Sequence, residues 1–416
     1  MAYADKIREA YRKELADIRT AGLFKEERFI HSPQAAEITV EFPSGAPQQA
    51  VINLCANNYL GLSSHPEVIR AAHEGLDSRG YGMSSVRFIC GTQEIHKELE
   101  RKLANFLRLD DAILYAACFD ANGGVFEPFI LTDQDVIIAD RLVHASLVDG
   151  IRLSKALQES YKHNDMKHLE RKLEEFQDKR IRLIVTDGVF SMDGDVAPLD
   201  VICALAEKYD AMVLLDDSHA TGFMGRTGRG THEMRGVLGK IDLITTTLGK
   251  GLGGASGGCV SGRAELVELC RQRARPYLFS NAIPPVVVAA ANKVLELVSS
   301  TTERRDKLER NTLYWRKALT EAGLDIKAGE SPIVPVMLYN AKLSQDVARD
   351  LYKEGIYVVG FFFPVVPKGA ARIRTQLSAS HETAHLDKAA AAFKKVGEKY
   401  GILGLKKDQI IAKFGA

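Results

Sequence analysis

Between about residues 110 and 250 the chain alternates short, unbroken apolar runs with segments of helical spacing. The runs AILYA (112–116), DVIIA (135–139), IRLIVTD (181–187), AMVLLDD (211–217) and IDLITTT (241–247) lack the polar–apolar alternation of a half-buried strand. They predict strands of a mostly parallel sheet covered on both faces. HKELERKLANFLR (96–108) and LDVICALAEKYD (199–210) repeat apolar residues three and four apart and predict helices of that cover. The fold class is therefore α/β, with a mostly parallel sheet wrapped by helices.

The flanks read differently. Ile7, Tyr11, Leu15 and Ile18 fall on one helical face, predicting an amphipathic N-terminal arm that stops near Gly22. ITVEF (38–42) and AVINLC (50–55) predict a hairpin across the PSGAPQ turn. After IPPVVVAAANKVLELV (283–298) comes a charged helical segment, 302–323, and then SPIVPVML, IYVVGFFF and ARIRTQL with two further helices. These read as a smaller α+β unit. The chain divides as an arm and hairpin (1–54), a major domain (55–295) and a C-terminal minor domain (296–416).

Composition narrows the function classes. A chain of 416 residues, 46% hydrophobic and 26% charged, can bury a large core. Fifty-five basic residues against 54 acidic ones leave a net charge of +1, so neither nucleic acid nor an anionic membrane is indicated as a partner. The six cysteines, at 55, 90, 118, 203, 259 and 270, form no CxxC pair and suggest reduced thiols. With no apolar signal core and no long uncharged run, a soluble cytoplasmic protein is expected, or one of the mitochondrial matrix if a transit peptide has been removed.

Chemistry concentrates in VLLDDSHATG (213–222) and TTTLGKGLGG (245–254). Ligands of open parallel sheets collect beyond the carboxyl ends of strands, where Asp216, His219 and Lys250 fall. Pyridoxal phosphate (PLP) needs such a set: a carboxylate to keep the pyridine nitrogen protonated and a lysine to form the Schiff base. Taken singly, the aspartate also reads as a helix cap and the lysine as a solvated loop amine. Two other motifs compete. HETAH (381–385) matches the zinc-protease pattern through His381 and His385, but stands at a predicted helix start with no third histidine after it, so no metal is expected. GKGLGG (249–254) fits GxGxxG, yet the small, turn-rich ASGGCVSG follows where a dinucleotide site requires a helix.

Several blocks resemble one family, the α-oxoamine synthases, PLP enzymes of fold type I: NLCANNYLGLSSHP (53–66), SSVRFICGTQEIHKELE (84–100), CFDANGG (118–124), HASLVDG (144–150), VFSMDGD (189–195), TLGKGLGGASGG (247–258), RPYLFSN (275–281) and FPVVPKGAARIRTQ (363–376). The resemblance runs from about residue 22 to 400. It is greatest, in SSVRFICGTQ and CFDANGG, to the member that joins glycine to acetyl-CoA, giving 2-amino-3-ketobutyrate and CoA, and that runs the reverse thiolysis in threonine degradation. A decarboxylating synthase using another amino acid or a longer acyl-CoA is the alternative.

The resemblance implies a role for each matched residue. Lys250 holds the cofactor and then takes the glycine α-proton, Asp216 pairs with the ring nitrogen, and His219 and Ser191 bond the phenolic oxygen. His144 stacks on the ring, contacts substrate and handles protons in acyl transfer. The backbone amides of Cys118 and Phe119 receive the phosphate at a helix start, with Thr247 adding a hydroxyl. Ser280 and Asn281 reach the phosphate from the other subunit of a homodimer whose site lies at the interface. Arg374 binds the amino-acid carboxylate, and Asn57 is the other substrate contact. Arg372 shares a strand face with Arg374, so periodicity does not choose between them, whereas the motif selects Arg374. Ala117 stands where the family usually has serine, removing one hydroxyl from the phosphate site.

Overall fold

The computed structural model describes residues 4–20 and 23–415. The N-terminal helix spans Asp5–Thr20 with none of its residues buried, and its expected stop at Gly22 lies outside the described residues. Strands β1 (Phe29–Ile30), β2 (Glu37–Glu41) and β3 (Gln49–Asn53) come first, followed by β4 (Asp111–Tyr115), β5 (Asp135–Asp140), β6 (Leu157–Tyr161), β7 (Ile181–Asp187), β8 (Met212–Asp216), β9 (Leu243–Thr247) and β10 (Gly258–Gly262). The C-terminal part adds β11 (Ile333–Tyr339), β12 (Ile356–Tyr357), β13 (Gly360–Phe361) and β14 (Ala371–Gln376).

The central sheet has seven strands in the order β4-β10-β9-β8-β7-β5-β6. All the pairings from β9 to β6 are parallel, and only β10 runs against its neighbours. Each unbroken apolar run forms one of these strands, and β5 is buried along its whole length, as a strand covered on both faces must be. β10 is the strand of the small, turn-rich segment after GKGLGG, so no helix opens there. Its composition follows from crowding: a Cβ at Gly262 would stand 2.4 Å from the Asp242 carbonyl, and one at Gly258 2.4 Å from the backbone of Cys118.

The hairpin β2–β3 is antiparallel, as its turn requires. IYVVGFFF does not form one strand. It divides at Val358–Val359, with β12 pairing parallel to β3 and β13 pairing antiparallel to β14. The N-terminal hairpin is thus completed by a strand from the far end of the chain, giving the order β1-β2-β3-β12. Trp315, buried in the helix Glu303–Glu321, closes the C-terminal core by donating to Thr375 Oγ1 at 2.9 Å and meeting Phe393 edge-on at 5.6 Å. What matters for the site is register. Asp187 ends β7 directly beside Asp216 at the end of β8, and the turn after β9 carries Lys250.

Candidate active site

Asp216 is buried, and both oxygens are engaged: Oδ1 accepts from the Ser218 amide at 2.9 Å and Oδ2 from Asn122 Nδ2 at 2.7 Å. Asp187 accepts from the backbone N–H of His144 at 3.2 Å. Burial, then the neighbouring Asp216, pushes the Asp187 carboxyl well above the carboxylate range.

Among the described residues no protein group hydrogen-bonds Lys250 Nζ. Burial lowers the pKa of this amine against the pull of Asp216, Cys118 and Asp187, and the Arg374 charge adds to the lowering. A desolvated, unheld amine of depressed pKa is the form a nucleophilic lysine needs. The loop carrying it turns through Gly254, at φ +78°, where a Cβ would strike Ser63 Oγ at 2.1 Å.

His219 follows β8, buried against Tyr59. Its orientation is settled by a chain of donors. Arg374 donates to Gln376 Oε1 at 3.0 Å, so the Gln376 amide end faces the Tyr59 hydroxyl at 2.8 Å and Asn57 Oδ1 at 2.5 Å. The Tyr59 oxygen thus accepts from Gln376 and gives its proton to His219 Nδ1 at 2.7 Å. That leaves the His219 hydrogen on Nε2. Burial, with Lys250 and Arg374 nearby, keeps the ring pKa well below its ordinary value.

The two arginines of β14 differ in what they hold. Arg372 pairs with Asp193 at 2.7 Å and also donates to the Met192 and Ala370 carbonyls. Arg374 has only neutral partners, the Ser191 carbonyl at 2.9 Å and Gln376, and its Nε is buried without one. Its guanidinium is available for a carboxylate.

Cys118 opens the helix Cys118–Gly124, with Ala117 as a cap that contributes no side-chain bond. Burial and Asp216 push the Cys118 thiol well up, and its sulfur lies 3.3 Å from Ser218 Oγ. Phe119 is exposed on the same first turn. Thr247 spends its hydroxyl locally, donating to the Gly257 carbonyl at 3.2 Å and accepting from the Gly249 amide at 3.0 Å. The Ser191 hydroxyl has no protein partner among the described residues. His144 caps the helix Ala145–Leu153 by accepting the Ser146 amide at its ring. It is exposed on one side, yet loss of hydration lowers its pKa, with Asp216 opposing and Lys250 adding.

The fold thus gathers Asn57, Cys118, His144, Ser191, Asp216, His219, Lys250 and Arg374 through shared bonds or electrostatic reach. Ser280 and Asn281 stand apart. Asn281 bridges to Val86, and no described contact joins either residue to Asp216 or Lys250. Asn122, Tyr59, Asp187 and Gln376 belong to the site without having been expected there. Gln376 had a legible signal, because it lies two residues from Arg374 on one strand and so shares its face. The HETAH histidines are structural. His381 accepts from the Ser378 amide at 3.0 Å and donates to the Asn53 carbonyl at 2.9 Å, while His385 accepts the Glu382 amide at 3.0 Å in a capping box.

Residues 49–393 match the family model described as aminotransferase class I and II. The chain belongs to the class I and II aminotransferase family. Within it, the chain is 55% identical to the 2-amino-3-ketobutyrate coenzyme A ligase of Escherichia coli K12 over 400 residues, covering 95% of this chain and 99% of that protein. It is 53% identical to the human mitochondrial 2-amino-3-ketobutyrate coenzyme A ligase over 390 residues, covering 94% and 92%. The solved structure of a lysine-to-alanine variant of serine palmitoyltransferase from S. paucimobilis, with a bound PLP–myriocin aldimine, superposes on this family member with a TM-score of 0.88 at 29% identity, covering 95% of this chain and 98% of that one. No helix among the described residues is long and apolar enough to cross a membrane.

Proposed function

We propose that this chain is a PLP-dependent glycine C-acetyltransferase, joining glycine and acetyl-CoA into 2-amino-3-ketobutyrate and CoA and running the reverse thiolysis. The observation that carries the reading is the unheld, desolvated amine of Lys250 opposite the anchored carboxylate of Asp216, in a chain 55% identical over 400 residues to a 2-amino-3-ketobutyrate coenzyme A ligase. The donor set fits the cofactor: an acceptor for a ring nitrogen, an amine for an aldehyde, helix-start amides of Cys118 and Phe119 for a phosphate, and a guanidinium for a substrate carboxylate.

When bound, PLP supplies an aldehyde and an electron-withdrawing ring. The protein's residues do the rest. Asp216, fixed at both oxygens, would accept a hydrogen bond from the ring N–H and so keep that nitrogen protonated. His219 offers its Nε2 hydrogen, beside the Ser191 hydroxyl, to the phenolic oxygen. Arg374 grips the glycine carboxylate with Asn57 beside it, which aligns the α-carbon. Lys250 Nζ then takes the α-proton as a neutral amine, the form its depressed pKa favours. His144 lies within electrostatic reach of both Asp216 and Lys250. Thr247, its hydroxyl already bonded, contributes through the loop it fixes, and Ser280 and Asn281 act across the interface of a homodimer.

The test adds PLP to the purified protein, reduces with borohydride and maps the adduct. An adduct on the Lys250 peptide, together with glycine-dependent release of thiol from acetyl-CoA, is expected. A colourless protein with no adduct overturns the proposal. Release of labelled carbon dioxide from carboxyl-labelled glycine, beyond spontaneous loss from the β-ketoacid, would replace it with a decarboxylating synthase.

A further inference from the structure

Asn122 and Ser146 are buried; Asn122 holds Asp216, and Ser146 has no part in the roles above. Asn122 Nδ2 lies 2.7 Å from Asp216 Oδ2 and 2.9 Å from Ser146 Oγ. Only the amide's NH2 end can face a carboxylate, since the opposite orientation would set oxygen against oxygen. Asp216 therefore dictates which way Asn122 points, and it does so at a cost: Asn122 Oδ1 is left buried with no hydrogen-bond partner.

One amide proton goes to Asp216 and the other to Ser146 Oγ, which accepts. The single hydroxyl proton of Ser146 is then left for its remaining neighbour, His144 Nδ1, at 2.7 Å. The Ser146 backbone N–H donates to that same nitrogen at 3.3 Å. A ring nitrogen that receives two donors carries no hydrogen of its own, so the neutral imidazole holds it on Nε2.

We infer that Asn122 and Ser146 are positioning residues that lock His144 in its Nε2–H form, so that it meets the reactants as a hydrogen-bond donor and not as a base. The lock stands on geometry alone. What His144 donates to rests on the reading of this pocket as an acyl-transfer site, where negative charge grows on the thioester oxygen as the new carbon–carbon bond forms. In that role the Nε2 hydrogen stays on nitrogen and no proton changes hands. Asp216 and Lys250 act on the ring through space, Asp187 holds its backbone N–H, and His219 lies within electrostatic reach. None of these groups bonds Nδ1, so none substitutes for Ser146.

The experiment is nitrogen-15 NMR of the full-length protein labelled at histidine, with PLP bound and again after its removal, the His144 signals being assigned by difference against His144→Asn. Wild type is expected to carry its ring hydrogen on Nε2 throughout the neutral range. In Ser146→Ala a Nδ1–H population appears and the His144 titration midpoint rises by roughly one pH unit, because a bond that favoured the neutral ring is lost. Ser146→Thr, which keeps the hydroxyl, restores both. Ser146→Cys, a weak donor of similar size, serves the same comparison if the alanine variant does not fold. A wild-type ring protonated on Nδ1, or a Ser146→Ala or Ser146→Cys variant with unchanged tautomer and midpoint, overturns the inference. Failure to bind PLP would instead strike the proposed function and leave the cofactor-free spectrum to decide the lock.

Discussion

Among the described residues neither Lys250 nor Arg374 forms an ion pair, and each makes a sharp prediction. Lys250→Ala removes an amine that supports no hydrogen bond among the described residues, so folding should be nearly untouched, within about 0.5 kcal/mol. Turnover should fall on the order of 1,000-fold or more, because both cofactor attachment and the base are lost. Initial rates and thermal unfolding of the cofactor-free protein check the two halves, and a variant of near-normal rate refutes the assignment. If Arg374 holds the substrate carboxylate as proposed, Arg374→Ala removes a buried charge-assisted pair, worth about 2–5 kcal/mol, and should raise the glycine KM steeply. Arg372→Ala is the control. Its guanidinium is committed to Asp193 at 2.7 Å, so it should lose stability with a much smaller rise in the glycine KM. Equal effects on the glycine KM would mean that the anchor has been misplaced. The motif singled out Arg374, but the reason lay in partners, which alternation along a strand does not reveal.

At the level of elements, the turn Ser191–Asp195 is held from both sides. Arg372 and Arg374 grip it from β14, Lys327 meets Asp193 at 2.6 Å and Asp195 at 2.7 Å, and His163 bridges Asp140 and Asp195 at 3.1 Å each. Burial alone would depress the His163 pKa, but its two carboxylate partners outweigh it and hold the ring at about 9, above its ordinary 6.5. A histidine whose folded pKa is raised stabilises fully below the ordinary value and loses that contribution as the pH climbs through 9. The contribution is on the order of 3 kcal/mol. Urea unfolding of wild type and His163→Gln should therefore differ most near pH 6 and converge toward pH 10. A gap that stays constant with pH would show that the bridge is not ionic. None of this clamp was legible in sequence, because its members are scattered from 140 to 374 and meet only through the fold. The unbroken apolar strands were legible, since burial on both faces leaves no other residue choice. β6 was not. LQESY is largely solvent-facing and carries no apolar run. β10 showed only as a small, β-like stretch without an apolar run, because the crowded backbone beside Cys118 favours small residues there.

For the whole molecule, the proposed homodimer can be tested at the exposed apolar side chains. Tyr81 is 82% exposed, Phe88 62%, Ile89 69% and Phe279 69%. Two backbone links, the Val86–Asn281 bridge and the Ala282 amide on the Ser85 carbonyl at 3.1 Å, draw the loop bearing Phe88 and Ile89 toward the segment that follows Phe279. Exposed large apolar side chains on neighbouring segments are what the proposed homodimer would cover. Ser280 and Asn281 sit at its edge, with no described tie to the pocket of their own chain. If these two residues serve the phosphate of the other subunit, association and cofactor affinity must be coupled. Ile89→Asp places a charge in the apolar contact and should shift the protein toward monomer in sedimentation velocity, with PLP affinity and turnover falling in proportion to the monomer fraction. Asn281→Ala should weaken PLP while the dimer persists, because it removes a contact and leaves the apolar surface intact. A fully active Ile89→Asp monomer would show that each chain completes its own site, and Ser280 and Asn281 would then have to be reassigned as loop residues of a self-sufficient subunit.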